Sequence, residues 1–384
     1  MSEEVRSALR RRMRPGCTIA LADGVGSPTG LYADLSAVAA SVPGTRLLLG
    51  WCPVTPANLD LSAFSDVRAF MPGPTLRHHV RDGTVRYVPA HLSQLPALLA
   101  GPWRPDLLVM SVCETRHGLA LGSEASWIAA AARSARACLA ELNTALPHAA
   151  PPTVLAGVDV EVVAASHRRP VALDHRPPDD TVARLGAEVA RLVPEGAALQ
   201  IGPGPLGDAL VAALRQPVRV DSGIVTDAVV DLAARGLLRG EPLGTYLAGT
   251  EKLYAWAHGR SVLDGVEVTH DATRLASSGL VAVNTALQVD LLGQVALEGS
   301  ARVPAAGVGG HTDYAYAASR SVDGLSVIAL PSRRAGESTL VDRLTLPVAT
   351  PRSVVDVVVT EHGHADLRGL TDEERAEAIA PLFP

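Results

Sequence analysis

The stretch LQIGPGPLGDALVAAL, residues 199–214, carries the fold in miniature. An apolar run breaks at glycine–proline–glycine and passes into an Ala/Leu segment of helical spacing. Such a passage reads as a buried strand, a tight turn and a helix laid back on the sheet. A second copy of this grammar lies near the start of the chain, ALADGVGSPTGLYADL at residues 20–35. Glycines at a strand-to-helix turn let backbone N–H groups approach an anion at the helix N-terminus. They serve equally in a tight turn with nothing bound, and neither stretch has the GxGxxG or GxxxxGKS/T spacing of a nucleotide loop.

Outward from these two turns, apolar β-branched runs alternate with helical segments. TIALADG (18–24), RLLLGW (46–51), VRAFM (67–71), VRYVPA (85–90) and DLLVMSVC (106–113) are predicted strands buried on both faces. LYADLSAVAASV (31–42) and SWIAAAARSARACLAEL (126–142) are predicted helices. A polar, proline-rich stretch, ASHRRPVALDHRPPDD (165–180), follows, with Asp180 placed to cap a helix over TVARLGAEVARLV (181–193). The alternation resumes with AALQIG (197–202), VRVDSG (218–223), TYLAG (245–249), VEVTH (266–270), VAVNTALQV (281–289), LSVIALP (325–331) and SVVDVVVTE (353–361). The pattern predicts an α/β fold of two open, mostly parallel-sheet domains, residues 1–175 and 176–384.

Composition narrows the classes of function. A hydrophobic fraction of 47% against 19% charged is a globular balance. The net charge of −6 comes without a basic stripe or interleaved aromatics, which argues against nucleic acid as a partner. RSALRRRMR (6–14) has no apolar segment after it and reads as a solvated helix rather than a targeting signal. No apolar run approaches the roughly 20 residues that span a bilayer. Cys17, Cys52, Cys113 and Cys138 lie far apart without CxxC spacing, so neither a zinc site nor a disulfide framework is signalled. The expectation is a cytoplasmic protein away from membranes.

The second half carries a series of collinear motifs. They are LQIGPGPLGDALVAAL, DSGIVTDAVVDLAARGLL (221–238), GTYLAGTEKLYAWAH (244–258), VAVNTALQVDLLGQV (281–295), AGVGGHTDYAYAASRS (306–321), VIALPS (327–332) and VVTEHGHADLRG (358–369). SVCETRHGLALG (111–122) and ACLAELNTALP (137–147) extend the series into the first half. Together they resemble the acetyl-CoA hydrolase/transferase family, the branch of class I CoA-transferases that includes 4-hydroxybutyrate and acetate CoA-transferases. The resemblance implies two CoA-transferase-type domains with the active site between them. It also implies ping-pong chemistry, in which a glutamate attacks an acyl-CoA thioester, passes through an anhydride and holds CoA as a glutamyl thioester.

In the family that glutamate sits in a motif close to N-S/T-A-I/L-E-I/V-D-L-x-G-Q-V. This chain reads N-T-A-L-Q-V-D-L-L-G-Q-V at 284–295, which puts Gln288 at that place. A neutral amide can orient an acyl group through hydrogen bonds but cannot form the anhydride. Asp290, also in the family motif, reads as a structural hydrogen-bonding residue. Gly307, Val308, Gly309 and Gly310 resemble the glycine loop whose backbone lies against CoA and the thioester oxygen. Where the family usually has Gln after that loop, this chain has His311, a candidate general base. His270, His362 and His364 are further departures; without Cys or an HExxH spacing they do not signal a metal site.

Three readings follow, and the sequence leaves them open. One is an acyl-CoA enzyme acting without a glutamyl-CoA intermediate, by thioester hydrolysis or by direct acyl transfer to an acceptor. Another is an ordinary carboxylate CoA-transferase with an inactivating change at 288. A third is a non-catalytic acyl-CoA-binding protein. No tightly bound cofactor is expected. Coenzyme A or acyl-CoA is the expected substrate, with a small carboxylate, water or another acyl acceptor, and the resemblance implies a homodimer or higher homo-oligomer.

Overall fold

A computed structural model describes residues 3–173, 176–300 and 303–384. The boundary expected at residue 175 lies outside them. The chain forms two compact units, each assembled from more than one stretch. The first takes Met1–Leu173, Thr245–Glu267 and Arg302–Gly309; the second takes Asp174–Gly244, Val268–Ala301 and Gly310–Pro384.

The sheet of the first unit contains β1 (Thr18–Leu21), β2 (Arg46–Leu49), β3 (Asp66–Ala69), β4 (Arg86–Tyr87), β5 (Leu107–Thr115), β6 (Ala137–Asn143) and β7 (Val160–Ser166). Their order is β4-β3-β2-β1-β5-β6-β7, and every one of these neighbours is parallel. The all-apolar segments Leu47–Leu49 and Leu107–Val112 (Ser111 apart) are buried on both faces, as a covered parallel sheet requires. One face packs its Ile19, Leu21, Leu47, Leu49, Leu107 and Val109 against Val5, Leu9, Leu35 and Val38 of helices α1 (Glu3–Arg12) and α2 (Tyr32–Ala39).

Two elements of this unit differ from the sequence expectation. Residues 126–142 are a short helix, α3 (Ile128–Ser134), followed by the interior strand β6. Alanine favours helices, yet Cys138, Leu139 and Ala140 are all buried, and tertiary packing overrides the propensity. The strand β7 has no apolar alternation to announce it, because ValGluValValAlaAla at 160–165 is only half-buried at the sheet edge.

In the second unit, α4 (Asp180–Leu192) starts one residue earlier than expected. Its cap is Asp179, whose carboxylate accepts from Val182 N at 2.9 Å. The sheet runs β9-β8-β10-β12-β13-β14, from β8 (Ala198–Ile201), β9 (Arg219–Val220), β10 (Leu280–Asn284), β12 (Leu325–Ala329), β13 (Val357–Thr360) and β14 (Gly363–Asp366). All pairs are parallel except β13–β14. The opening motif behaves as read: β8 ends at Ile201, Gly204 turns with φ 108°, and Pro205 starts α5 (Pro205–Ala213) at its first position. VEVTH (266–270), expected as a strand, is instead the short helix α6 (Val266–Thr269) and a following turn.

Candidate active site

The stretch 281–295 does not run as one strand. β10 ends at Asn284, three residues break the ladder, and β11 (Gln288–Asp290) joins a separate three-stranded sheet. The break lets Ala286 turn into a core with Val289, Val295, Ile328 and Leu330. Gln288 pairs antiparallel with Ala296 just past the C-terminal end of a central parallel strand. That is the side on which open α/β sheets bind ligands. Its Oε1 is buried and accepts no hydrogen bond. Asp290 is fully occupied: Oδ1 accepts from Leu292 N at 3.1 Å and Gln294 N at 2.9 Å, and Oδ2 accepts from Gln294 Nε2 at 2.7 Å. It ties off the turn, the structural role read for it.

The glycine loop divides between the units. Gly307, Val308 and Gly309 belong to the first. A Cβ at Gly307 would stand 2.7 Å from the Phe70 carbonyl oxygen, so only glycine fits there. Val308 N–H donates to the Tyr87 hydroxyl at 3.1 Å, and Leu92 N–H donates to the Gly309 carbonyl at 3.0 Å. Gly310 belongs to the second unit and caps α7 (His311–Ala318) without a side-chain hydrogen bond. Its first-turn N–H groups carry the positive end of the helix dipole. His311 is the first residue of α7 and is buried.

His270 is also brought to Gly310. A Cβ at Gly310 would lie 2.3 Å from His270 Nε2, and the imidazole packs against Tyr314 of α7 at 4.8 Å between centroids, its plane tilted by 60°. Burial, with the nearby Arg274 charge, pushes His270 down to about 3, so its ring is neutral. His364 and His362 stand apart from this cluster: His364 is exposed on β14, and His362 Nε2 lies 3.5 Å from Glu361. Burial works to raise the Glu361 carboxyl, but donations from Ser332 N at 2.9 Å and Ser332 Oγ at 2.7 Å hold it below the ordinary range.

The first unit holds two buried carboxyls that the sequence reading missed. Asp23 Oδ2 accepts from Trp51 N at 2.6 Å and from Trp127 Nε1 and Tyr246 OH at 2.9 Å each, while Oδ1 has no partner. Burial pushes it up to about 6 against those donors. Glu124 accepts from Gly26 N at 3.2 Å, and burial pushes it up to about 8. The only signal in the sequence was a charged residue inside each of two glycine-flanked apolar stretches, ALADGVG and LGSEASW.

Known proteins resolve what this frame belongs to. The acetyl-CoA hydrolase/transferase C-terminal domain matches residues 249–382. A 4-hydroxybutyrate coenzyme A transferase of Clostridium kluyveri is 31% identical over 336 residues, covering 81% of this chain and 77% of that one. The chain belongs to the acetyl-CoA hydrolase/transferase family. As a member of that family it is an enzyme, and its relatives include CoA-transferases and an acetyl-CoA hydrolase. The crystal structure of RipA from Yersinia pestis superposes with a TM-score of 0.85 at 25% identity, over 99% of this chain and 92% of that one. A 4-hydroxybutyrate CoA-transferase from Porphyromonas gingivalis shares the fold, with a TM-score of 0.75 at 22% identity over 98% of this chain and 92% of that one. Among the described residues no helix is long and apolar enough to cross a membrane.

Proposed function

We propose that this family member acts on an acyl-CoA thioester without a glutamyl-CoA intermediate, by hydrolysis or by direct acyl transfer to an acceptor. The observation that carries the reading is the state of five buried or half-buried carboxylates in the second unit. Asp221 is held by both Nη atoms of Arg274, Asp290 by three donors and Glu361 by Ser332. The buried Glu298 and Asp313 are engaged as well. A nucleophile needs an oxygen that is free to attack. What stands open instead is the amide oxygen of Gln288.

In this reading the Gln288 amide orients the acyl group, and the Gly310 N-terminus of α7 faces the thioester oxygen. His311 takes the proton of water or of another acceptor. CoA is a substrate, and no bound cofactor takes part.

The test is incubation with a panel of acyl-CoAs, with and without small carboxylates, followed by intact-mass spectrometry. Release of free CoA without acceptor, or acceptor-dependent loss of thioester, with no covalent adduct at any stage, is the expected outcome. A borohydride-sensitive CoA thioester on any Asp or Glu overturns the proposal. Tight CoA binding without turnover would leave a binding protein.

A further inference from the structure

His270 sets an unused ring nitrogen against two glycines. The residue is 2% exposed, and Nε2 has no hydrogen-bond partner. An atom left unpaired in such a place is costly to the fold. The close approach is a built one. A side chain at Gly310 would collide with Nε2 at 2.3 Å, whereas a Cβ at Gly223 would sit 3.8 Å from Nε2 and 3.7 Å from the Tyr314 ring. Absent side chains at 310 and 223 therefore let the Nε2 edge come up to the backbone at the start of α7.

Gly310 is also the cap of α7, an eight-residue helix whose first turn has no side-chain cap. Two features of separate origin meet there. One is the positive end of a helix, which favours an oxygen ligand. The other is a buried, neutral imidazole whose orientation is fixed at its far side, where Nδ1 lies 2.9 Å from Thr269 Oγ1. If that hydroxyl donates to Nδ1, the ring proton is on Nε2, and Nε2 becomes a hydrogen-bond donor beside the Gly310 cap.

We propose that His270, as the Nε2–H tautomer, and the N-terminus of α7 together bind the carbonyl oxygen of the acyl thioester. This rests on the acyl-CoA reading above and adds the residue that holds the acyl oxygen. A neutral donor suits the task. It hydrogen-bonds the oxygen, strengthens as negative charge develops there, and carries no proton that the reaction could take away by simple ionisation. It also separates the histidines by role: His270 contacts oxygen, and His311 handles the proton.

The first measurement is ring nitrogen NMR on the unmodified enzyme labelled with 15N-histidine, with His270→Asn identifying the signal. The expected result is a proton on Nε2 and a resonance that moves on adding an acyl-CoA but not on adding free CoA. A proton on Nδ1, or a resonance unmoved by an acyl-CoA that binds, overturns the proposal. The second measurement is kinetic. His270→Ala is expected to lower kcat about 30-fold or more with KM changed less than about threefold. His270→Asn, which keeps an N–H donor, is expected to recover most of that loss. Equal losses in both variants, or none in His270→Ala, overturn the assignment. If the unmodified enzyme releases no CoA from any acyl-CoA, the functional reading falls, and the NMR result still decides the site.

Discussion

The backbone N–H of Gly26 donates to Oε2 of Glu124 at 3.2 Å, joining the first glycine turn to a carboxyl 98 residues away. The closeness of the loop is visible in its glycines: a Cβ at Gly24 would lie 2.8 Å from Glu124 Oε2, and one at Gly26 would lie 2.7 Å from Oε1. Glu124 is thus a buttress under the turn, buried where ionisation is disfavoured.

The first prediction is a pH dependence of stability. In the unfolded chain a glutamate loses its proton near its ordinary value of 4.5, whereas folded Glu124 holds it until about 8. Between those values the folded state binds more protons, so stability falls as pH rises through the window. Asp23, raised from 3.8 to about 6, adds the same sign over a lower range. Glu124→Gln keeps an acceptor for Gly26 and removes the titration. Its thermal midpoint should exceed the parent's by on the order of 5 °C at pH 8 and match it near pH 4.5. Parallel midpoints across that range would refute this.

A second prediction separates glycines that are needed from those that are spare. Gly307→Ala places a methyl 2.7 Å from the Phe70 carbonyl and 2.9 Å from Met71 Cα, both backbone atoms, and should destabilise by about 1–3 kcal/mol. Gly202→Ala, with nothing within 4 Å of the added carbon, should be neutral within about 0.5 kcal/mol. Urea midpoints of the two variants provide the check.

Asp290→Ala should damage the fold rather than the chemistry. It leaves two backbone donors and the Gln294 amide without their acceptor in a buried turn. The expected loss is about 2–3 kcal/mol in denaturant titration, with KM for acyl-CoA unchanged in the folded fraction.

Gln288→Leu should do the reverse. The Oε1 it removes has no protein partner, so the melting temperature should hold or rise. Loss of one substrate hydrogen bond should lower kcat/KM by about 10- to 100-fold. An unchanged kcat/KM would remove Gln288 from the site.

The strongest parts of the fold to read from sequence were those where chemistry repeats itself. LLL at 47–49 and the runs at 106–113 and 325–331 announced doubly buried parallel strands because they are apolar almost throughout, Ser111 and Ser326 being buried exceptions. The elements that escaped were those set by neighbours. Ala137–Asn143 is an interior strand written in helix-favouring letters, and Val266–Thr269 is a helix written in β-branched ones. In both, long-range packing decides against local propensity.

For the candidate site, the sequence names single residues and not their company. The motif at 284–295 pointed to Gln288 and correctly left Asp290 a structural task. Nothing in the spacing said that His270, forty residues before Gly310, would stop against that glycine. Nor did it say that Val308 N–H would be spent on Tyr87. Such pairings are fixed by sheet order, which appears in the sequence only as a succession of strands.

The piecewise assembly of the first unit bears on how the protein can be made and cut. Strand β1 leaves the ribosome early, yet one of its two flanking partners, β5, begins only at Leu107. Translation at roughly 5–20 residues per second imposes a wait of several seconds before that side of the strand is covered. The last segment of the same unit ends at Gly309, behind most of the second unit's coding sequence. A gene truncated near residue 175 would therefore yield a fragment lacking two of its own pieces, with aggregation its expected fate, and the two halves are better expressed as one chain.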